Sequence, residues 1–201
     1  MLLNVVNKRA GEPQKLIVLL TIIIGGKMDF IELSKKRYSV RKFSSQNVED
    51  EKLEKILEAG RLAPTAKNSQ SHKIFIIKSK DALEKIYSAT PMSYHAPIVL
   101  MVCYDKKISY KNTSDTHYPD YDGGEADAAI VTTAMMMEAT ELGLGTLWAR
   151  GYDSQKIYDA FPQIKDLELV CLLDIGYPVE DSSPSERHFM RKELSETTVE
   201  L

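Results

Sequence analysis

Arg37, Ser39 and Arg41 alternate within the basic segment Lys35-Lys36-Arg37-Tyr38-Ser39-Val40-Arg41-Lys42. In extended backbone, alternation puts two guanidiniums and a hydroxyl on one side. Forked guanidinium donors match phosphate oxygens, so the strip reads either as an anion-binding edge or as a solvated basic surface. A second candidate is Ala63-Pro-Thr-Ala-Lys-Asn-Ser-Gln70, where Pro64 stops a helix and amide and hydroxyl side chains follow. Such groups can read the edge of a flat heterocycle, and the same residue types also suit an ordinary turn. Glu141-Leu-Gly-Leu-Gly-Thr146 contains Gly-x-Gly, but after a helical stretch and before a strand-like one. That is the reverse of a dinucleotide-binding turn, and Gly143 reads as a helix C-cap. Walker A and Gly-x-Ser-x-Gly sequences are missing. The four histidines (His72, His95, His117 and His188) have no metal-ligand spacing with the cysteines, so no metal site is expected.

These groups need elements to hold them. Phe30–Lys36 reads as a short helix leading into the basic strip. Ser45 or Asn47 is a candidate cap for a second helix, in which Leu53, Ile56, Leu57 and Gly60 follow helical spacing up to Pro64. Ile74–Ile77 and Pro97–Tyr104 are apolar strand candidates, the latter continuous enough to be covered on both faces. Ser79 or Asp81 opens the helix between them. Lys106–Gly124 is a long polar stretch carrying Tyr110, Tyr118 and Tyr121, of the length that serves as a lid or a mobile loop. Glu125–Leu142 has almost no polar face, so it packs centrally or against a second subunit. Thr146–Ala149 and Leu167–Ile175 are further strands, separated by a short helix capped by Asp153. Helices and strands interleave without a repeat or linker after residue 28, which implies one α/β or α+β domain with a mixed sheet.

Composition narrows the partners. The 201 residues are 43% hydrophobic and 27% charged, and 26 basic against 29 acidic residues give a net charge of −3. That excludes intrinsic disorder and leaves no chain-wide basic field for nucleic acid. Cys103 and Cys171 lie in apolar runs, as buried free thiols of a reducing compartment would. A cytoplasmic location follows.

Residues 1–27 stand apart. Their apolar run Leu16–Ile24 holds nine residues, whereas a membrane-spanning helix needs about 20. Three readings fit: a start codon placed upstream of Met28, a genuine appended segment, or an export signal without a clean cleavage site. The remaining chain, 28–201, carries 22 basic and 28 acidic residues. Within it the basic groups gather at Lys35–Lys42 and again at Arg187–Lys192.

Taken in order, the motifs resemble the nitroreductase family of flavin enzymes over about residues 29–197. Arg37-Tyr-Ser-Val-Arg-Lys-Phe43 is similar to that family's Arg-x-Ser-x-Arg/Lys-x-Phe signature, and Ala63–Gln70 to its Pro-Ser-x-x-Asn-Ser-Gln loop. Glu141-Leu-Gly-Leu-Gly-Thr-Leu-Trp-Ala-Arg-Gly-Tyr-Asp153 resembles its Gly-Leu-Gly-Thr-x-Trp segment, and Arg191-Lys192-Glu-Leu its basic C-terminal motif. Ser71-His72 departs from the usual Pro-Trp.

The resemblance implies an α+β fold with a central, mainly antiparallel mixed sheet flanked by helices. It implies a homodimer with noncovalent FMN at the interface. Arg37, Ser39 and Arg191 would hold the phosphate, with Lys192 beside them and Arg187 as the alternative in the C-terminal register. Arg41 would lie near the pyrimidine edge and Asn68 would hydrogen-bond the isoalloxazine. Backbone around Arg150 and Gly151 would face N5 and O4. The implied chemistry passes a hydride from NADH or NADPH through flavin N5 to a nitroaromatic, quinone or similar acceptor, with no protein nucleophile. A dehalogenating or flavin-consuming relative, or a flavin-binding module without turnover, are the alternatives.

Overall fold

The computed structural model describes residues 29–201; the readings of residues 1–27 lie outside the described residues. Helices α1 (Phe30–Lys36) and α2 (Asp50–Leu62) lead into β1 (His72–Ile77), α3 (Lys80–Ala89) and β2 (Ile98–Tyr104). The long helix α4 (Gly124–Glu141), β3 (Gly145–Ala149), α5 (Ser154–Ala160), β4 (Glu168–Gly176) and the short α6 (Leu194–Thr197) follow.

The four strands form one sheet in the order β1-β2-β4-β3, and every pairing is antiparallel. The parallel component of the expected mixed sheet reduces to one isolated bridge, Ser39 with Thr146. Strand β2 is buried along its whole length, as its unbroken apolar run requires. One face of the sheet packs Ile98, Leu100, Leu173 and Ile175 against Leu53 and Ile56 of α2 and Val131, Met135 and Ala139 of α4. The other packs Val99, Met101 and Leu172 against Ile86 of α3 and Ile157 of α5. Helices therefore cover both faces.

Local signals set most boundaries. Ser79 caps α3 by accepting from the Ala82 amide, and Asp153 caps α5 by accepting from Lys156. Gly143, at φ +79°, turns the chain off α4, a conformation that favours glycine. The expected cap of α2 at Ser45 or Asn47 is not formed. The helix begins at Asp50 with Glu49 at the cap position and no side-chain cap bond. The Glu49 carboxylate is engaged elsewhere, accepting from the Tyr177 hydroxyl at 2.7 and 3.1 Å.

Helix α4 divides its apolar surface. Ala128, Val131, Met135 and Ala139 enter the core, while Ala126, Ile130 and Thr133 remain exposed on the opposite side. Among the described residues, no helix is long and apolar enough to cross a membrane.

Candidate functional site: an arginine pocket and a strained loop

The basic strip is extended where it leaves α1, and its docking onto β3 fixes which side chains converge. The Val40 amide donates to the Thr146 carbonyl at 3.0 Å, and Ser39 bridges Thr146. This approach requires Gly145. A Cβ there would lie 2.5 Å from Val40 Cγ2 and 2.9 Å from Val40 Cβ. The other edge of the strip lies along the chain after β4, where Ser44 donates to Tyr177 and Val179 donates to Lys42.

The C-terminal segment then returns over the strip. The Tyr38 hydroxyl donates to Ser182 Oγ at 3.0 Å, Lys42 pairs with Asp181 at 3.0 Å, and His188 Nε2 lies 2.9 Å from the Lys35 carbonyl. Between strip and segment opens a pocket of about 240 Å³. Arg37, Tyr38, Ser39 and Arg41 line one side, and Ser185, Arg187, His188 and Arg191 the other. No carboxylate lines it, and among the described residues none of the four arginines is paired with one. Burial and the neighbouring charge of Arg191 both push the Arg37 guanidinium below its ordinary value. A dianion with several oxygens fits this donor set, because it neutralises converging guanidiniums and accepts from their forks.

Thus the structure brings Arg37, Ser39, Arg41 and Arg191 into one pocket, together with Arg187. Arg41 folds back to donate to the Ser39 carbonyl at 3.2 Å. Lys192 is exposed and does not line the pocket. Ser185 and His188 were not singled out in sequence. The signal available was their neighbourhood to Arg187 and Arg191.

Asn68, Arg150 and Gly151 lie elsewhere. Lys67, Asn68 and Gln70 adopt left-handed backbone at φ +54°, +53° and +46°, which non-glycine residues rarely occupy. The buried Asp127 carboxylate in the first turn of α4 holds this loop, accepting from the Ala66 amide at 2.9 Å and the Ser69 hydroxyl at 3.1 Å. The Asn68 side chain stays exposed at the loop surface. Arg150 reaches the same turn, with its guanidinium 3.4 Å from Glu125 and also donating to the Val170 carbonyl. The Gly151 carbonyl accepts from Thr90 at 2.7 Å. The loop and Arg150 therefore share the N-terminal end of α4. The arginine pocket lies towards its C-terminal end, where Arg37 and Tyr38 adjoin Thr140 and Gly143.

Ser71 Oγ and His72 Nδ1, at the departure from Pro-Trp, are buried without hydrogen-bond partners. Burial pushes the His72 imidazole down, against an opposing pull from Asp127.

With this geometry in view, comparison with known proteins is decisive for class. The Nitroreductase family matches at residues 34–93 and 89–177, and the chain belongs to that family. It is similar to a solved nitroreductase family protein from Clostridium difficile 630, with 36% identity, a TM-score of 0.78, and coverage of 86% of this chain and 98% of the other. A curated relative from Archaeoglobus fulgidus is 28% identical over 152 residues, 72% of this chain and 83% of its own, and its name joins NADH dehydrogenase to NAD(P)H nitroreductase. A protein from Exiguobacterium sibiricum 255-15, solved in complex with FMN, shares the fold at 22% identity and a TM-score of 0.72, covering 87% of this chain and 98% of the other.

Proposed function

We propose that this protein binds FMN noncovalently and uses NADH or NADPH to reduce small conjugated acceptors such as nitroaromatics and quinones. The observation that carries the reading is the carboxylate-free pocket in which Arg37 and Arg191 crowd one another. Arg37, Ser39 and Arg191 would hold the phosphate, with Arg187 and Arg41 completing the cradle. Strand β3 runs from this cradle towards Arg150. From Thr146 to Arg150 it covers roughly 13 Å at strand rise, which leads the backbone of Arg150 and Gly151 towards a ring attached through a ribityl chain. Bound FMN would supply two-electron chemistry between nicotinamide and acceptor. The chain's own work is binding, orientation and electrostatics. Arg150, tethered to Glu125, is the exposed cation that would meet an anionic acceptor.

The same reading includes a homodimer. Ala126 and Ile130 leave apolar surface on the outward side of α4, flanked by Thr133, and Phe30, Ile31, Phe189, Met190 and Leu194 are also exposed. Surfaces of this kind mark association. Asn68 and the phosphate cradle sit near opposite ends of α4, and Asp127 and Thr140 alone are about 20 Å apart at helical rise. With the flavin at the interface, the Asn68 loop that meets its ring comes either from its own chain, where it lies beside Arg150, or from the second copy. Free, buried Cys103 and Cys171 suit a reducing, cytoplasmic setting.

The test begins with colour. Purified protein should be yellow, release FMN on denaturation, and bleach when NADH or NADPH is added without oxygen. Colourless protein that takes up no FMN refutes the reading. Bound flavin that stays oxidised under both nicotinamides supports instead a binding module without turnover.

A further inference from the structure

We propose that Asp127 is a positioning residue for the flavin ring, acting through Asn68 by clamping the loop that carries it. The inference rests on the FMN reading, in which Asn68 meets the ring, and names the residue that fixes how it does so.

The clamp brackets the loop. Asp127 Oδ1 accepts from the Ala66 amide at 2.9 Å and Oδ2 from the Ser69 hydroxyl at 3.1 Å. One carboxylate thus holds both flanks of Lys67-Asn68. Those two residues are consecutive left-handed positions, and Gln70 is a third in the same loop. Asparagine tolerates that backbone, whereas lysine and glutamine pay a Cβ penalty in it. Inside the loop, the Asn68 amide donates to the Thr65 carbonyl at 2.9 Å and the Gln70 amide to Thr65 Oγ1 at 3.1 Å. Lys67, Asn68 and Gln70 are exposed, so water competes for these bonds.

Asp127 is placed differently. It is only 3% exposed and lies in the first turn of α4, where the helix dipole favours a carboxylate. Releasing the loop would leave that buried charge short of donors, a costly alternative. The helix behind it is anchored, because Ala128 and Val131 enter the core one turn further on. The same first turn carries Glu125, which pairs with Arg150. One fixed turn therefore sets both the Asn68 loop and Arg150, the elements that the FMN reading brings to the ring.

A loop already held in one conformation presents Asn68 without an ordering cost on binding. A hydrogen bond to the ring tunes flavin electronics. The labour then divides: the arginine pocket governs affinity through the phosphate, and Asp127 governs the ring's redox properties through Asn68.

Three variants separate this role from a merely structural one. Asp127→Ala removes both bonds, and Ser69→Ala removes one while sparing the buried carboxylate. Asp127→Asn keeps an oxygen for the Ala66 amide, and its NH2 can donate to the Ser69 hydroxyl. Each is made in full-length protein with Asn68 and with Asn68→Ala. The absorption spectrum and midpoint potential of bound FMN are read, and trypsin cleavage after Lys67 is timed in flavin-free protein. Asp127→Ala should speed that cleavage about tenfold, as loss of a hydrogen bond to a charged group allows. It should shift spectrum and potential in the same direction as Asn68→Ala, and add nothing once Asn68 is gone. Ser69→Ala should follow with smaller shifts, and Asp127→Asn should stay near wild type. If Asp127→Ala does not fold, Ser69→Ala carries the same comparison. Shifts of equal size with and without Asn68 make the clamp merely structural and overturn the proposal. So does a clamp variant whose flavin is indistinguishable from wild type. An Asn68→Ala protein with an unaltered spectrum and potential takes Asn68 off the ring and overturns it while FMN binding stands. A wild type that takes up no FMN refutes the FMN reading itself, and the proposal falls with it.

Discussion

Arg37 is half-buried beside a second guanidinium, an arrangement that costs free energy until an anion enters. Removing it should therefore harm binding more than folding. Arg37→Ala is expected to weaken FMN binding by about 1–3 kcal/mol, the worth of a hydrogen bond to a charged group. The Tm of the flavin-free protein should stay level or rise. A fluorescence titration beside a thermal melt checks both, and unchanged flavin affinity removes Arg37 from the site. Asp174 poses the opposite problem. It lies on β4 across from Val99 and Leu147, fully buried, and neither carboxyl oxygen has a partner. Burial pushes its carboxyl up to about 9, so the folded state holds a proton that the unfolded chain releases near pH 4. Because the folded value is the higher one, this group makes the protein less stable as pH rises from about 4 towards 9. Asp174→Asn cannot titrate, so its stability relative to wild type should increase between pH 5 and pH 8 by more than about 1 kcal/mol. Denaturant melts at the two pH values decide it, and parallel curves would show that Asp174 does not stay protonated in the fold.

Docking of the basic strip onto β3 decides whether those residues meet at all. Gly145 lies so close to Val40 that Gly145→Ala must push the strip away, at about 1–3 kcal/mol for overpacking, with flavin affinity falling alongside stability. Val40→Ala opens space on the other side, so the double variant should be less destabilised than the two single costs combined, which denaturant melts of all four proteins would reveal. The 106–123 stretch has a comparable fastening. Its base is an isolated bridge between Lys111 and Asp122, reinforced by their ion pair. Burial pushes the Asp122 carboxyl up, but Lys111, Ser109 and the Gly124 amide outweigh it and hold the group down at about 2. That lowered value contributes stability above the ordinary carboxylate range, lost as pH falls towards 2. Lys111→Met should speed proteolysis within residues 112–121 at pH 7 while leaving the sheet intact. Much of this architecture was legible in sequence, because helix spacing, Ser79, Asp153 and the unbroken apolar β2 are local signals. The arginines that line the pocket stood out in sequence as two basic clusters. What joins them did not. Tyr38 meets Ser182 across 144 positions, and a contact of that range leaves no periodicity to read. The cap of α2 was misplaced for a related reason, since Glu49 is recruited by Tyr177 from 128 residues away.

At the scale of the whole molecule, which chain's Asn68 and which chain's Arg37 serve one flavin becomes a question about subunits. If both groups serve one flavin within one chain, Arg37→Ala and Asn68→Ala each damage every site, and mixing the two variants changes nothing. If the loop comes from a second copy, each flavin draws Arg37 from one chain and Asn68 from the other. A heterodimer of the two variants then has one site carrying both defects and one carrying neither. Co-expression with two different affinity tags isolates that heterodimer, and FMN titration should show half its sites at wild-type affinity. Ile130→Lys supplies the complementary measurement. The residue is 44% exposed on the outward stripe of α4, so a charge there should spare the monomer's core but leave a lysine facing apolar surface in the dimer. Sedimentation should shift to the monomer, with flavin occupancy falling in step. A fully dimeric Ile130→Lys protein with intact flavin would move the interface off this stripe. A heterodimer with no restored site would place Asn68 and Arg37 of the same chain around one cofactor.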